Sequence, residues 1–388
     1  MKLVDNANLE GRAIQTLPGF AYYSPEQFQR ELERIWQKKW LCAGREEELP
    51  RVGDFFTRQI GEESLLFVRG EDHQVHGFYN TCRHRGSRLI VAAEGHLRQG
   101  AITCPYHSWQ YCVTDGRLLS APHFPDQLEG FDRTRYPLMS FPTRSWQGFI
   151  WFSLDDQAPY EALPDELGYY EKYHLADLTS GHRLTYEVNA NWKLIMENSI
   201  ECYHCTTIHP QLSRATPPQN PWWWNDSAPA SPDFMDVGGM TLAANFERAS
   251  LTGEARRPRF ADLTDDDARA VYYFSLLPHT LFGLAADYVF CFTLWPIHVE
   301  KTLVRAYWLA DPAVLTDEHA LDDAFAFWDI TNKQDWAAIE LTQLGVKSRA
   351  FRDGGVVGLE DHLVGRFVDY IRAHTLNDSA ESSSRGGR

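Results

Sequence analysis

Positive charge is scarce in this chain. Lysine and arginine total 37 against 53 acids, leaving a net charge of −16 over 388 residues. A nucleic-acid-binding surface is thereby disfavoured, because phosphate contacts need clustered cations. Long apolar runs are also missing. The nearest approach, residues 270–297, is interrupted by Pro278, His279, Asp287 and Pro296. It falls short of the roughly 20 apolar residues that cross a bilayer and reads as successive buried strands. The opening stretch MKLVDNANLEGRAIQTLPGF has no apolar secretion core. No GxGxxG nucleotide fingerprint and no internal repeat occurs. Seven cysteines, an odd number, do not make a disulfide scaffold. The expectation is a cytoplasmic, reducing setting without membrane or nucleic-acid partners, in which paired cysteines suggest metal before disulfide.

What is present supports a folded molecule. Hydrophobic residues make up 44% of the chain and charged residues 23%, which supplies two cores and excludes chain-wide disorder. Thirteen tryptophans hint at lined cavities or large interfaces. Residues 24–40 predict a helix, with Ser24 as N-cap, Pro25 at the first position and Phe28, Leu32, Ile35 and Trp36 at helical spacing. From about 50 to 155, short alternating runs such as SLLFVRG and FIWFSL predict a small all-β domain. Residues 156–185 read as a connection. Beyond them come a helix over 192–204, a proline-rich loop, strands over 272–308 and two late helices. The last places Leu363, Phe367, Val368 and Ile371 on one face.

Two hooks carry the strongest chemical signal. Cys82-Arg-His84 is followed, 19 residues later, by Cys104-Pro-Tyr-His107. Each offers one thiolate and one imidazole, so facing loops would form a mixed Cys₂His₂ site. Structural zinc takes such sets too, but its motifs more often pair the two Cys in one hook and the two His in the other. The alternation within each hook suits a two-iron cluster, with thiolates on one iron and imidazoles on the other. A second pair, His204 and His209, lies five residues apart, about 140° off a common face of an ideal helix. The two share a metal only if the helix loosens, and Pro210 gives a reason, since a residue before proline is pushed from helical geometry. Cys42, Cys112, Cys202, Cys205 and Cys291 lack matching partners and read as small buried side chains.

CRHRGSRL and CPYHSWQY resemble the cluster loops of the Rieske iron–sulfur domain, though the gap between the hooks is longer than usual. The resemblance implies a Rieske 2Fe-2S cluster held by Cys82, His84, Cys104 and His107, with Arg83, Gly86 and Ser108 shaping the loops. QDWAAIELTQLG, residues 334–345, resembles the late carboxylate motif of Rieske-type oxygenase catalytic subunits. That implies Asp335, with Asp329 as rival, joining His204 and His209 in a facial triad on mononuclear non-haem Fe(II). It further implies that Glu201, where many members carry Asp, bridges His204 to His107 of a neighbouring subunit in a head-to-tail homotrimer.

The implied fold class is α+β: an all-β Rieske domain over 46–160 and a catalytic domain over 161–375 with an antiparallel sheet wrapped around helices. An N-terminal helical segment over 1–45 would pack on the catalytic domain, and residues 376–388 would form a disordered tail. The implied activity is that of an oxygenase component using O2. Its electrons would come from a separate NAD(P)H-dependent reductase carrying flavin and an iron–sulfur centre. The substrate expectation is a small quaternary ammonium compound, after the choline, carnitine and glycine betaine branch, with demethylation or C–N cleavage. Trp222–Trp224 are offered as an aromatic wall or an interface, and Phe234, Met240, Phe246, Phe282, Tyr288 and Phe290 as pocket residues. The alternatives are hydroxylation or cis-dihydroxylation of an aromatic ring or aromatic acid, with Arg214 or Arg248 as carboxylate partner, and a Rieske electron carrier without oxygenase activity.

Overall fold

The computed structural model describes residues 13–125, 128–159, 170–217, 233–316, 318–358 and 361–376. The chain divides into two compact units, Trp36–Tyr160 and Met1–Ile35 with Glu161–Arg388.

The first unit is all β. A five-stranded antiparallel sheet runs Ser140–Phe141, Val75–Tyr79, Glu63–Arg69, Asp54–Ile60, Glu94–His96. A three-stranded sheet runs Thr143–Trp146, Phe149–Phe152, Leu41–Arg45, and another runs Ala101–Thr103, Gln110–Cys112, Leu118–Ser120. The run LLFV is buried on both faces, which explains its continuous apolar texture. Leu66 and Val68 join a core with Cys82, Cys104, Trp109 and Tyr111. Phe67 points the other way, with ring centroids 5.1 Å from Phe56 and 5.0 Å from Phe152. Because Leu41–Arg45 pairs with Phe149–Phe152, it belongs to this unit and not to an N-terminal segment ending at residue 45.

The second unit is built on a six-stranded antiparallel sheet. Its order is Thr179–Val188, Lys301–Ala310, Val289–His298, Thr280–Leu284, Ala270–Leu276, Phe234–Thr241. Helix α1, Pro25–Glu31, is capped by Ser24 Oγ accepting from the Gln27 N–H at 3.2 Å. It continues through Leu32–Trp36 in wider π-helical turns. Glu31 on α1 meets Lys193 at 2.7 Å, both side chains fully buried, and accepts from Trp192 Nε1 at 2.9 Å. A buried pair of this kind is costly to break from one side.

Helix α2, Trp192–Ser199, starts at Asn191, whose side chain accepts from the Lys193 N–H and donates to the Val299 carbonyl. The short helices α3, Cys205–Ile208, and α4, Pro210–Ala215, follow. Helix α5, Asp322–Gly345, is the longest. Helix α6, His362–Thr375, buries Leu363, Phe367, Val368 and Ile371, the face its spacing predicts. The sequence-expected helix over 192–204 is shorter than read: it stops at Ser199, whose hydroxyl turns back to donate to the Ile195 carbonyl at 2.7 Å.

Candidate metal centres and the catalytic cavity

In the all-β unit, the two hooks fold as matching turns. The Cys82 N–H donates to the Ser87 carbonyl at 2.8 Å, and the Gly86 N–H returns to the Cys82 carbonyl at 3.0 Å. Cys104 repeats this with Trp109 at 2.8 Å and Ser108 at 3.1 Å. Gly86 and Ser108 both adopt positive φ, 72° and 58°. That conformation comes readily to glycine and seldom to serine. Cys112 makes a third such turn with Arg117 and Gly116, but no histidine accompanies it.

Cys82 and Cys104 are buried, and the His84 and His107 rings lie 4.7 Å apart. Trp109 stacks on His84 at 4.7 Å. His84 Nδ1 is buried without a hydrogen-bond partner in the protein, and burial, then His107 and Arg85, hold its pKa below the ordinary value. Two buried thiols and an orphaned imidazole nitrogen fit a bound cluster. The Tyr111 hydroxyl lies 3.1 Å from Cys82 Sγ while accepting from the Arg83 N–H at 3.1 Å.

In the second unit, His204 and His209 are brought together by a break in the helix. His204 opens α3, and His209 (φ −115°, ψ 73°) is extended by the proline that begins α4. Their Nε2 atoms face one carboxylate oxygen, Asp335 Oδ1, at 3.3 and 2.9 Å. Each opposite nitrogen is held from behind. His204 Nδ1 is 2.5 Å from Glu201 Oε1, and His209 Nδ1 is 2.9 Å from Gln334 Oε1. Carboxylate and amide partners of this kind fix the tautomer and orientation of metal-binding imidazoles. Glu201 reaches His204 across a turn, its other oxygen accepting from the Tyr203 N–H, and not along a helix face.

Burial opposes charge on His204, but hydrogen bonds to Asp335 and Glu201 outweigh it and raise its pKa to about 9. Burial likewise pushes the Asp335 carboxyl up, and the two histidines bring it below the ordinary value. The rival Asp329 is engaged elsewhere, by the Tyr186 hydroxyl at 2.9 Å and Lys333 at 2.6 Å. Two inward nitrogens, each imidazole backed from outside, and one shared carboxylate oxygen fit a divalent metal.

These groups open on a cavity. Among the described residues its lining includes Glu201 and Asp335 but no lysine or arginine. Arg214 donates to the Leu251 carbonyl, and Arg248 lies 3.6 Å from buried Asp287, so neither serves the cavity. Of the sequence-proposed pocket residues, Met240, Phe282 and Phe290 line it. Phe234, Phe246 and Tyr288 do not. Phe234 packs toward Phe274, Phe246 lies under Arg214, and the Tyr288 hydroxyl donates to the Ala249 carbonyl. Trp222–Trp224 lie outside the described residues.

Tyr273, Phe292, Trp328 and Trp336 are walls that the sequence did not single out. Trp328, Thr331, Asn332 and Asp335 recur at helical spacing along α5, and that was their available signal. Phe290 packs 4.1 Å from Trp328 and 6.2 Å from Tyr273. It leans over Gly283, where a Cβ would come 2.0 Å from the ring. Cys202 and Cys205, expected as unpaired buried residues, are joined as a disulfide on the cavity wall, since the i,i+3 spacing around one turn brings their Cα atoms to 5.0 Å.

Comparison with known proteins fixes the class. Residues 39–141 match the Rieske [2Fe-2S] domain, and residues 175–376, more than half the chain, match the ring hydroxylating alpha subunit (catalytic domain). The molecule is therefore a Rieske non-haem iron oxygenase component, using a 2Fe-2S cluster and a mononuclear iron. More narrowly, the chain belongs to the ring hydroxylating alpha subunit family.

It is 31% identical to the glycine betaine monooxygenase oxygenase subunit of Pseudomonas aeruginosa, covering 95% of this chain and 91% of the relative. It is 29% identical to the carnitine monooxygenase oxygenase subunit of Escherichia coli, covering 92% of each. Among solved structures it resembles the quaternary ammonium Rieske monooxygenase CntA in complex with gamma-butyrobetaine. That match has a TM-score of 0.76 at 25% identity, over 97% of this chain and 99% of that one. An oxygenase subunit of a multicomponent system works with a reductase and a small-molecule substrate. Among the described residues, no helix is long and apolar enough to cross a membrane.

Proposed function

We propose that this chain hydroxylates a small quaternary ammonium, betaine-like compound at a carbon next to nitrogen, with demethylation or C–N cleavage as the outcome. The observation that carries the reading is the character of the cavity. Tyr273, Phe290 and Trp328 present aromatic walls beside the two histidines, with two carboxylates and no described cation on the lining. Aromatic faces attract quaternary ammonium groups, and a cation-poor, acid-bearing cavity disfavours a simple aromatic acid. The names of the relatives point the same way.

In this reading His204, His209 and Asp335 hold the mononuclear iron, and Cys82, His84, Cys104 and His107 hold the cluster. When bound, the iron supplies the dioxygen chemistry and the cluster supplies electrons one at a time. The protein contributes ligand geometry and a dry, shaped site. Glu201 takes the Nδ1 proton of His204 in a hydrogen bond, keeping Nε2 turned inward, and Gln334 does the same for His209. Tyr273, Phe290 and Trp328 hold the substrate's cationic head and exclude water from its reacting methyl or methylene.

Glu201 also reaches toward the partner subunit's His107 in a head-to-tail homotrimer. Electrons arrive from an NAD(P)H-dependent reductase with flavin and an iron–sulfur centre, in the cytoplasm. The residue boundaries of the functional domains follow the two compact units described above. Oxygen uptake with a surrogate reductase tests the proposal. Stimulation by glycine betaine or carnitine-like compounds with formaldehyde release is expected. Stimulation by benzoate-like acids with silence toward betaines would overturn it in favour of ring hydroxylation.

A further inference from the structure

The stretch between the two histidines and Glu201 carries sulfur that the oxygenase reading leaves unused. Cys202 and Cys205 are bonded to each other with Cα atoms 5.0 Å apart, inside the range a disulfide needs. Both line the metal cavity. Cys205 is 6% exposed, and its Sγ lies 3.9 Å from His204 Nε2. One ligand atom from each of His204, Cys205 and His209 falls within 4.8 Å of the others. A metal held by the two imidazoles therefore has sulfur at the edge of its coordination shell. The bonding state of that sulfur decides whether it binds. A disulfide sulfur is uncharged and a poor donor, whereas a thiolate is a strong one and a metal deprotonates a coordinating thiol outright.

We propose that Cys202 and Cys205 form a reversible dithiol–disulfide pair, and that reduced Cys205 is a sulfur ligand to the mononuclear metal beside His204 and His209. The inference rests on the two-histidine, one-carboxylate reading of the site. Oxidation by hydrogen peroxide forms the Sγ–Sγ bond. Two electrons pass from the sulfurs to the peroxide, whose O–O bond breaks; the Cys202 thiol proton and one proton taken from solvent complete the two waters. A phosphine reverses the step: with one water it yields two thiols and a phosphine oxide. On reduction, Cys205 releases its proton to solvent as the sulfur takes the metal. On oxidation the ligand set returns to two imidazoles and a carboxylate, and a coordination position reopens. His204 lies inside the short loop, three peptide bonds long, that the disulfide closes, so the same switch tightens the backbone of a ligand.

Zinc K-edge X-ray absorption tests this on protein with its cluster intact and Zn(II) in the mononuclear site, because the cluster holds iron alone. After phosphine reduction, a sulfur shell at about 2.3 Å is expected beside nitrogen and oxygen at about 2.0–2.1 Å. After peroxide treatment, nitrogen and oxygen alone are expected. Cys205→Ser should show no sulfur in either state. Cys202→Ser, which cannot close the bond, should show sulfur without reductant. Iodoacetamide labelling after unfolding in a chelator, read by mass spectrometry, should add two groups to this peptide after reduction and none after peroxide. Bound zinc with no sulfur shell in both the reduced natural chain and Cys202→Ser would overturn the proposal while leaving the two-histidine, one-carboxylate site standing. Failure to bind zinc at all would overturn both. Two labelled cysteines after peroxide would overturn the reversible pair.

Discussion

Glu201 Oε1 sits 2.5 Å from His204 Nδ1, on the side of the ring opposite the nitrogen that faces Asp335. The carboxylate is therefore placed to orient the imidazole from outside the metal site and not to bind metal from within it. Glu201→Gln should keep both metals and lose coupled turnover. Iron content and the visible spectrum should match the natural chain, while product formed per oxygen consumed collapses. Turnover like that of the natural chain would remove the bridging role.

Asp335 Oδ1 faces both Nε2 atoms. Asp335→Ala should bring iron from about three per chain to about two, the content of a cluster alone, with the cluster's absorption unchanged. Full retention of iron would show that another group completes the site.

The Arg83 N–H already occupies a lone pair of the Tyr111 oxygen, which leaves the hydroxyl proton directed at Cys82 Sγ. A donor to a cluster sulfur favours the reduced, more negative state. Tyr111→Phe should therefore lower the cluster's reduction potential in a potentiometric titration. An unchanged or higher value would contradict that orientation of the proton.

Phe290 presents its ring to the cavity next to Trp328. A cation–aromatic contact is worth about 0.5–2 kcal/mol. Phe290→Leu, which keeps an apolar side chain, should raise KM for a trimethylammonium substrate roughly two- to thirty-fold, with a smaller change in kcat. Equal losses for an uncharged isostere would mean that the ring acts only by shape.

Glu197 accepts from the Tyr22 hydroxyl at 2.8 Å. Burial pushes its carboxyl up to about 7, against the Tyr22 hydrogen bond and Lys193, and Glu31 adds repulsion. A carboxyl raised on folding favours the folded state fully below its unfolded value of about 4.5, and that contribution fades as pH climbs through 7. At pH 8 the loss approaches about 3 kcal/mol. Glu197→Gln should match the natural chain in urea stability at pH 4 and exceed it at pH 8. A constant difference across that window would refute the assignment.

Much of this site is written locally in the chain. Cys82, His84, Cys104 and His107 are visible because each hook is short and carries its own ligands. The matching turn at Ser108 is not, because serine does not advertise a left-handed conformation as Gly86 does. His204 and His209 are legible as a pair and Pro210 as the break that lets them converge, yet the helix ends sooner than its apolar pattern suggests, at Ser199. Asp335 and Asp329 look alike in sequence. The resemblance of residues 334–345 ranks Asp335 first, and the packing of α5 against the histidines, a long-range fact, is what sets the two apart in space. The cavity walls Tyr273 and Phe292 were hidden for a related reason: alternation tells which residues share a sheet face, not which face looks onto metal. Cys202 and Cys205 read as unpartnered small side chains because an i,i+3 spacing permits a bond without requiring one.

The bare backbone at Gly283 has a meaning for how this chamber can change. The Phe290 ring rests where a side-chain carbon would otherwise stand. The depth of the chamber is thus set from behind, by an atom the chain omits. A single methyl there would act as a wedge, driving the ring forward and shrinking the room for the guest. Breeders of new variants would find at that one position a dial for guest size, separate from the machinery that spends oxygen.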